Sequence, residues 1–160
     1  MLSENLVFNP GEYRTNNILD TAPKWFEIPR EMGELVRFVN SRDYRKSRPV
    51  EKSAFTGYRF SQIHAFENHN EQVARLLMNY VLIKHHRPLT IIKAYDKQEY
   101  LDCLFKTNPI YFQQFITRCV LNSVNSYRVM TGERLDLNLP SIKLAQKYNS
   151  YYTYRSPYDE

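Results

Sequence analysis

Glycine is scarce here, four among 160 residues, while phenylalanine and tyrosine number nine and 13. So few flexible positions and so many rings point to a compact helical body with an aromatic core. Cysteine is scarcer still. Cys103 and Cys119 show no CxxC spacing, so the plain expectation is two reduced thiols in a reducing compartment. No apolar run reaches the roughly 20 residues of a membrane-spanning helix. The start, Met1-Leu2-Ser3-Glu4-Asn5, lacks the basic and apolar stretches of a signal peptide. A cytoplasmic location is expected, or delivery into a host cell without a readable signal. Neither sign of charge dominates: the net value is +5. That suits phosphate, nucleic acid or an acidic protein, and equally suits mere solubility. No internal repeat is visible.

What is present is enough for one domain with a real core. Hydrophobic residues make up 42% of the chain, which argues against whole-chain disorder. Residues 1–27 read as loop with a hairpin. A helix over 28–41 is signalled by Pro29 at its start and by Met32, Leu35, Val36, Phe38 and Val39 at helical spacing. Residues 41–47 read as a polar, basic linker, and 50–66 as a second helix. The third, 70–85, carries Val73, Ala74, Leu76, Leu77, Met78, Tyr80, Val81, Leu82 and Ile83 around its whole circumference. A helix apolar on all sides is expected to be the buried centre of the bundle. A short β-like run at 90–94 and two more helices, 97–106 and 109–130, follow, the last closed by Thr131-Gly132. Residues 1–132 form the expected domain. Residues 133–160 read as a tail with a short helix at 141–148 and tyrosines at 151, 152, 154 and 158.

The stretch from His64 to Arg75, His-Ala-Phe-Glu-Asn-His-Asn-Glu-Gln-Val-Ala-Arg, lies at the start of that third helix. Unpaired N–H groups and the helix dipole make such a start a natural anion site. The stretch resembles H-P-F-x-[D/E]-G-N-G-R-x-x-R, the signature of the Fic (Fic/Doc, Fido) family. Gly11-Glu12-Tyr13-Arg14 is similar to the G-x-Y-R that opens the family's flap over the active site. Tyr58 to His64, Arg75 to Asn79 and Asp96 to Leu101 resemble flanking family segments, and the likeness runs over residues 11–125.

The resemblance implies a fold and a chemistry. The fold is mainly α, a Fic-like helical bundle with a short β-hairpin flap. The activity is AMP transfer from ATP to a protein hydroxyl, with ATP and Mg²⁺ as the implied cofactors. His64 stands where the family's base stands, and a histidine accepts a proton near neutral pH. Asn70, Gln72 and Arg75 match nucleotide-binding positions, Asn68 the metal position, His69 and Glu71 the two glycines of the anion loop. Gly11, Tyr13 and Arg14 match the target flap, which in the family can pair with an extended peptide.

The departures from the signature point one way. Asn68 offers Mg²⁺ an oxygen but no charge. Glu71 puts an acid where phosphate should lie. Two such charges ~4 Å apart at an effective dielectric of ~20 repel by about 4 kcal/mol, or about three decades of affinity. Gln72 lacks the charged fork of an arginine. Glu71 and Arg75, at i and i+4, are placed to neutralise each other. ATP and Mg²⁺ are therefore implied by the resemblance alone, and the leading expectation is a catalytically impaired Fic-fold protein that binds a protein partner. One alternative is a transferase with altered nucleotide or metal use. Another is a small basic nucleic-acid binder, drawing on Arg42, Arg45, Lys46, Arg48 and Lys52 with Tyr44 among them. Nucleic acid is the less favoured partner, no membrane partner is expected, and the ten residues before Gly11 leave room for a second chain, that is, an oligomer. Lys84, His85, His86 and Arg87 end the third helix, where cations complement its dipole.

Overall fold

A computed structural model describes residues 11–18, 21–105 and 108–132. After a 3-10 turn at Trp25–Glu27 come α1 (Ile28–Val39), α2 (Arg42–Lys46), α3 (Pro49–Ile63) and α4 (Asn70–Lys84). A second 3-10 turn at Ala94–Asp96 precedes α5 (Lys97–Phe105) and α6 (Pro109–Thr131). Gly132, at φ +72°, ends α6 in the left-handed conformation that costs glycine least. No helix of the described residues is long and apolar enough to cross a membrane. The tail helix and its tyrosines lie outside the described residues.

Three expectations change. The described residues contain no strand: neither the 90–94 run nor residues 11–18 forms one, so the hairpin flap is not seen. The Thr90 backbone is instead held by the Asn79 amide, which accepts its N–H at 2.8 Å and donates to its carbonyl at 3.3 Å. The basic linker folds as α2, because Ser41 caps it by accepting the Tyr44 N–H at 3.2 Å and Tyr44 is buried.

The third change concerns the centre. On α4 only Asn70, Ala74, Met78 and Leu82 are buried, and Leu76, Tyr80 and Ile83 are exposed. The buried helix is α3, with 12 of its 15 residues inside. It serves two cores. Val50, Ala54 and Tyr58 face Met78 and Leu82 of α4, Tyr100 and Leu104 of α5, and Phe112, Ile116 and Val120 of α6. Phe55, Phe60 and Ile63 face Ile28, Leu35, Tyr44, Ala65 and Ala74.

Several polar residues on α3 survive burial through hydrogen-bond partners, whereas the Ser61 hydroxyl is buried without one. The Ser53 hydroxyl donates to the Met78 carbonyl at 3.0 Å, Thr56 to the Lys52 carbonyl at 2.8 Å, and Gln62 to the Leu104 carbonyl at 2.6 Å. Arg59 pairs with Glu31 of α1. Gly57 lets α4 approach closely, since a Cβ there would meet Met78 Sδ at 2.5 Å. The pairs Lys52–His85 and Ser53–Met78 run in opposite senses along the two helices, so α3 and α4 are antiparallel. The 64–69 loop joins them at one end.

Candidate functional site

The end of α3 and the start of α4 meet around that loop. His64 caps α3 in the left-handed conformation, φ 48° and ψ 56°, with its N–H on the Phe60 carbonyl. His69 caps α4 in the same region, φ 66° and ψ 15°. A non-glycine residue rarely sits there, so the loop keeps a backbone shape that glycine would have adopted freely.

Arg14 holds the loop from below. It is 2% exposed. Its Nε donates to the His64 carbonyl at 2.7 Å and one terminal nitrogen to the Asn16 carbonyl at 2.7 Å; the other donates to the Pro23 carbonyl. Its own N–H donates to the Ala65 carbonyl at 2.9 Å. A cation over the last carbonyls of α3 complements the dipole, and burial lowers its pKa. Of the other flap positions, Gly11 and Tyr13 are exposed, and the Tyr13 ring lies 6.1 Å from that of Phe66.

Asn70 is 1% exposed. Its amide accepts the Phe66 N–H at 2.9 Å and donates to the Phe66 carbonyl at 2.7 Å. The residue matched to the phosphate cradle thus closes the loop on itself. Glu67, Asn68, His69 and Gln72 point to solvent and are exposed.

The His64 imidazole is held below its usual pKa, chiefly by burial. Glu71 opposes that shift, and the Arg14 charge adds to it. His64 is therefore neutral at physiological pH and able to accept a proton. Glu71 and Arg75 do not form the ion pair that their spacing allows: among the described residues no such pair lies within reach. Both act instead on Tyr100 of α5. Burial raises the Tyr100 pKa, the Arg75 charge and the Ser61 hydroxyl draw it down, and Glu71 pushes it up. The Ser61 and Tyr100 hydroxyls are both buried, and neither makes a hydrogen bond. Neither stands out in the sequence as a site residue; the signal was Ser61's place three residues before His64.

A Mg²⁺–nucleotide pair does not fit these donors. The metal position offers an exposed neutral amide, the cradle amide is already satisfied, and Glu71 adds negative charge beside them. Among the described residues no three His, Cys, Asp or Glu side chains lie together to hold a metal.

A helical domain in which a histidine-ended helix turns through an anion-type loop into the next defines a class. The sequence profile of the Fic/DOC family matches residues 2–82, and the chain belongs to that family. Its curated relatives include several named protein adenylyltransferase Fic. That of Nematostella vectensis is 28% identical over 129 residues, 76% of this chain and 30% of the relative. That of Aedes aegypti is 30% identical over 145 residues, 86% of this chain and 28% of the relative. The chain thus spans less than a third of these relatives' length. Among solved structures, a Fic domain containing signaling protein from Bacteroides thetaiotaomicron superposes with TM-score 0.67 at 28% identity, over 79% of this chain and 58% of that one. Fic-1 of C. elegans shares the fold with TM-score 0.62 at 19% identity, over 76% of this chain and 38% of that one.

Proposed function

We propose that this chain is a Fic-fold module that binds a protein partner and has lost efficient AMP transfer. The carrying observation is the use of Asn70: both ends of its amide are bonded to Phe66, so the cradle is spent on holding the loop. The acidic Glu71 and the neutral Asn68 support the same reading. The curated relatives are named for acting on proteins, which motivates a protein partner, met near exposed Tyr13. A cytoplasmic setting fits this role.

Thermal unfolding with and without ATP and Mg²⁺ tests the proposal. A ligand present at ~100 times its Kd stabilises the fold by about 2.7 kcal/mol. Here no shift is expected at millimolar ATP. Mg²⁺-dependent labelling of any protein by ATP, abolished in His64→Ala, would overturn it.

One reading competes. His69 keeps the left-handed backbone and Arg75 has no acid paired to it, which favours a transferase with altered nucleotide or metal use. The double variant Glu71→Gly with Gln72→Arg separates the two. A latent transferase gains nucleotide binding in that variant, whereas a loop rebuilt as a closure gains none.

A further inference from the structure

Two basic stretches far apart in sequence meet at the pole of the α3–α4 pair opposite His64. Lys52, from the first turn of α3, is only 7% exposed. Its ammonium lies 3.4 Å from His85 Nε2 and 5.8 Å from the centre of the Tyr44 ring. Buried ammonium groups are ordinarily paired with an acid. Here, among the described residues, no carboxylate pairs with Lys52, Lys84 or His85. Glu51, adjacent in sequence, accepts the Arg48 N–H at 3.0 Å.

The neighbours instead raise the local positive potential. Burial lowers the pKa of Lys52, and Lys84 lowers it further. Burial also lowers that of His85, and Lys52, Lys84, Arg87 and His86 add to the shift. Tyr44 offers the Lys52 ammonium a ring face, worth roughly 0.5–1 kcal/mol at an exposed site and more when desolvated. That is modest compensation for a cluster of like charges. His86, between His85 and Arg87, holds the chain in a left-handed turn, φ 54°.

We propose that this pole binds a phosphate group, as the free dianion or as an organic phosphomonoester, through Lys52 and Lys84 with His85 as a third donor. A tetrahedral dianion presents several oxygens to separate donors. Lys52 offers three N–H bonds, of which the imidazole uses one at most. Lys84 is exposed and free to swing over the anion. The anion neutralises the repulsion that the cluster otherwise holds, so the fold and the ligand stabilise each other. Because the pole lies at the other end of the helices from His64, binding there is separate from any nucleotide chemistry in the 64–75 loop.

The test uses the full chain, titrated with inorganic phosphate and, in parallel, with glycerol 3-phosphate, at constant ionic strength set with sodium chloride. Thermal midpoint and the imidazole signals of His85 by NMR are followed. Phosphate should raise the midpoint and move the His85 signals saturably. Tighter binding of glycerol 3-phosphate than of phosphate would identify the phosphomonoester as the source, and the reverse would identify the free dianion. Lys84→Ser, at an exposed position, should weaken binding about tenfold, or about 1.4 kcal/mol, while the unliganded midpoint stays the same or rises, because one of the like charges is gone. Lys52→Gln should abolish saturation. Equal shifts with chloride alone, or affinity unchanged in Lys84→Ser, would overturn the proposal even where Lys52→Gln fails to fold.

Discussion

Single side chains do the work of backbone in this domain. Asn70 gives Phe66 both a donor and an acceptor, and Asn79 does the same for Thr90. Arg14 satisfies three carbonyls at once. Removing such a partner leaves half-buried backbone groups unpaired, at roughly 1–3 kcal/mol each. Asn70→Ala should therefore destabilise the fold by about 2 kcal/mol in urea unfolding. Asn70→Asp should not rescue it, because a carboxylate cannot donate to the Phe66 carbonyl. Arg14→Met should cost about 3 kcal/mol or more, and Arg14→Lys should restore less than half, since an ammonium lacks the planar fork that reaches divergent acceptors. A loss below ~0.5 kcal/mol in Asn70→Ala would show that the loop is held by other means. The identity of these residues was legible in the sequence: His64, Asn70, Arg75 and Arg14 all stood out. Their bonding was not. Spacing shows that an asparagine lies at the right step of a loop; it does not show that its amide is already bonded within that loop.

At the scale of the element, helix boundaries were readable and their order of burial was not. Pro29, the turn at Gly132 and the apolar spacing placed α1, α4 and α6 within a few residues. α4 looked like the centre because its side chains are apolar all round. Burial, however, is decided by neighbours: α3 contacts α1, α4, α5 and α6, while Leu76, Tyr80 and Ile83 of α4 face outward at 70%, 61% and 60% exposure. α3 was disguised by Glu51, Lys52, Ser53, Thr56 and Ser61, polar residues whose burial a sequence does not display. The two helices therefore differ in what they tolerate. Gly57→Ala should cost roughly 1–3 kcal/mol, the usual range for overpacking, because Met78 is fully buried against it. Ile83→Gln should change stability by no more than ~0.5 kcal/mol. Chemical denaturation of the two variants side by side gives the ranking, and a central, fully buried α4 would make Ile83→Gln the costlier of the pair.

For the whole molecule, the two poles of the α3–α4 pair share one property, a half-buried histidine without full compensation. His64 sits at the loop pole and His85 at the basic pole, and burial is the first cause of a lowered pKa at both. In the unfolded chain each titrates near pH ~6.5. In the folded chain each binds its proton only at lower pH, so between the two values the unfolded state holds more protons. Stability then rises with pH through that window. It is fully present above pH ~6.5 and falls as the pH drops toward the folded values, before carboxylates begin to titrate near pH ~4. The urea midpoint should accordingly be lower at pH 5.5 than at pH 7.5. His64→Gln and His85→Gln should each flatten part of that dependence. A 15-residue helix is ~22 Å long, so the two sites lie beyond the range at which mutational effects couple, and the flattening in the double variant should equal the sum of the two. A wild-type midpoint that does not move between these pH values would mean that both imidazoles are as free to take a proton in the fold as outside it, and the burial that lowers the His64 pKa would not hold in solution.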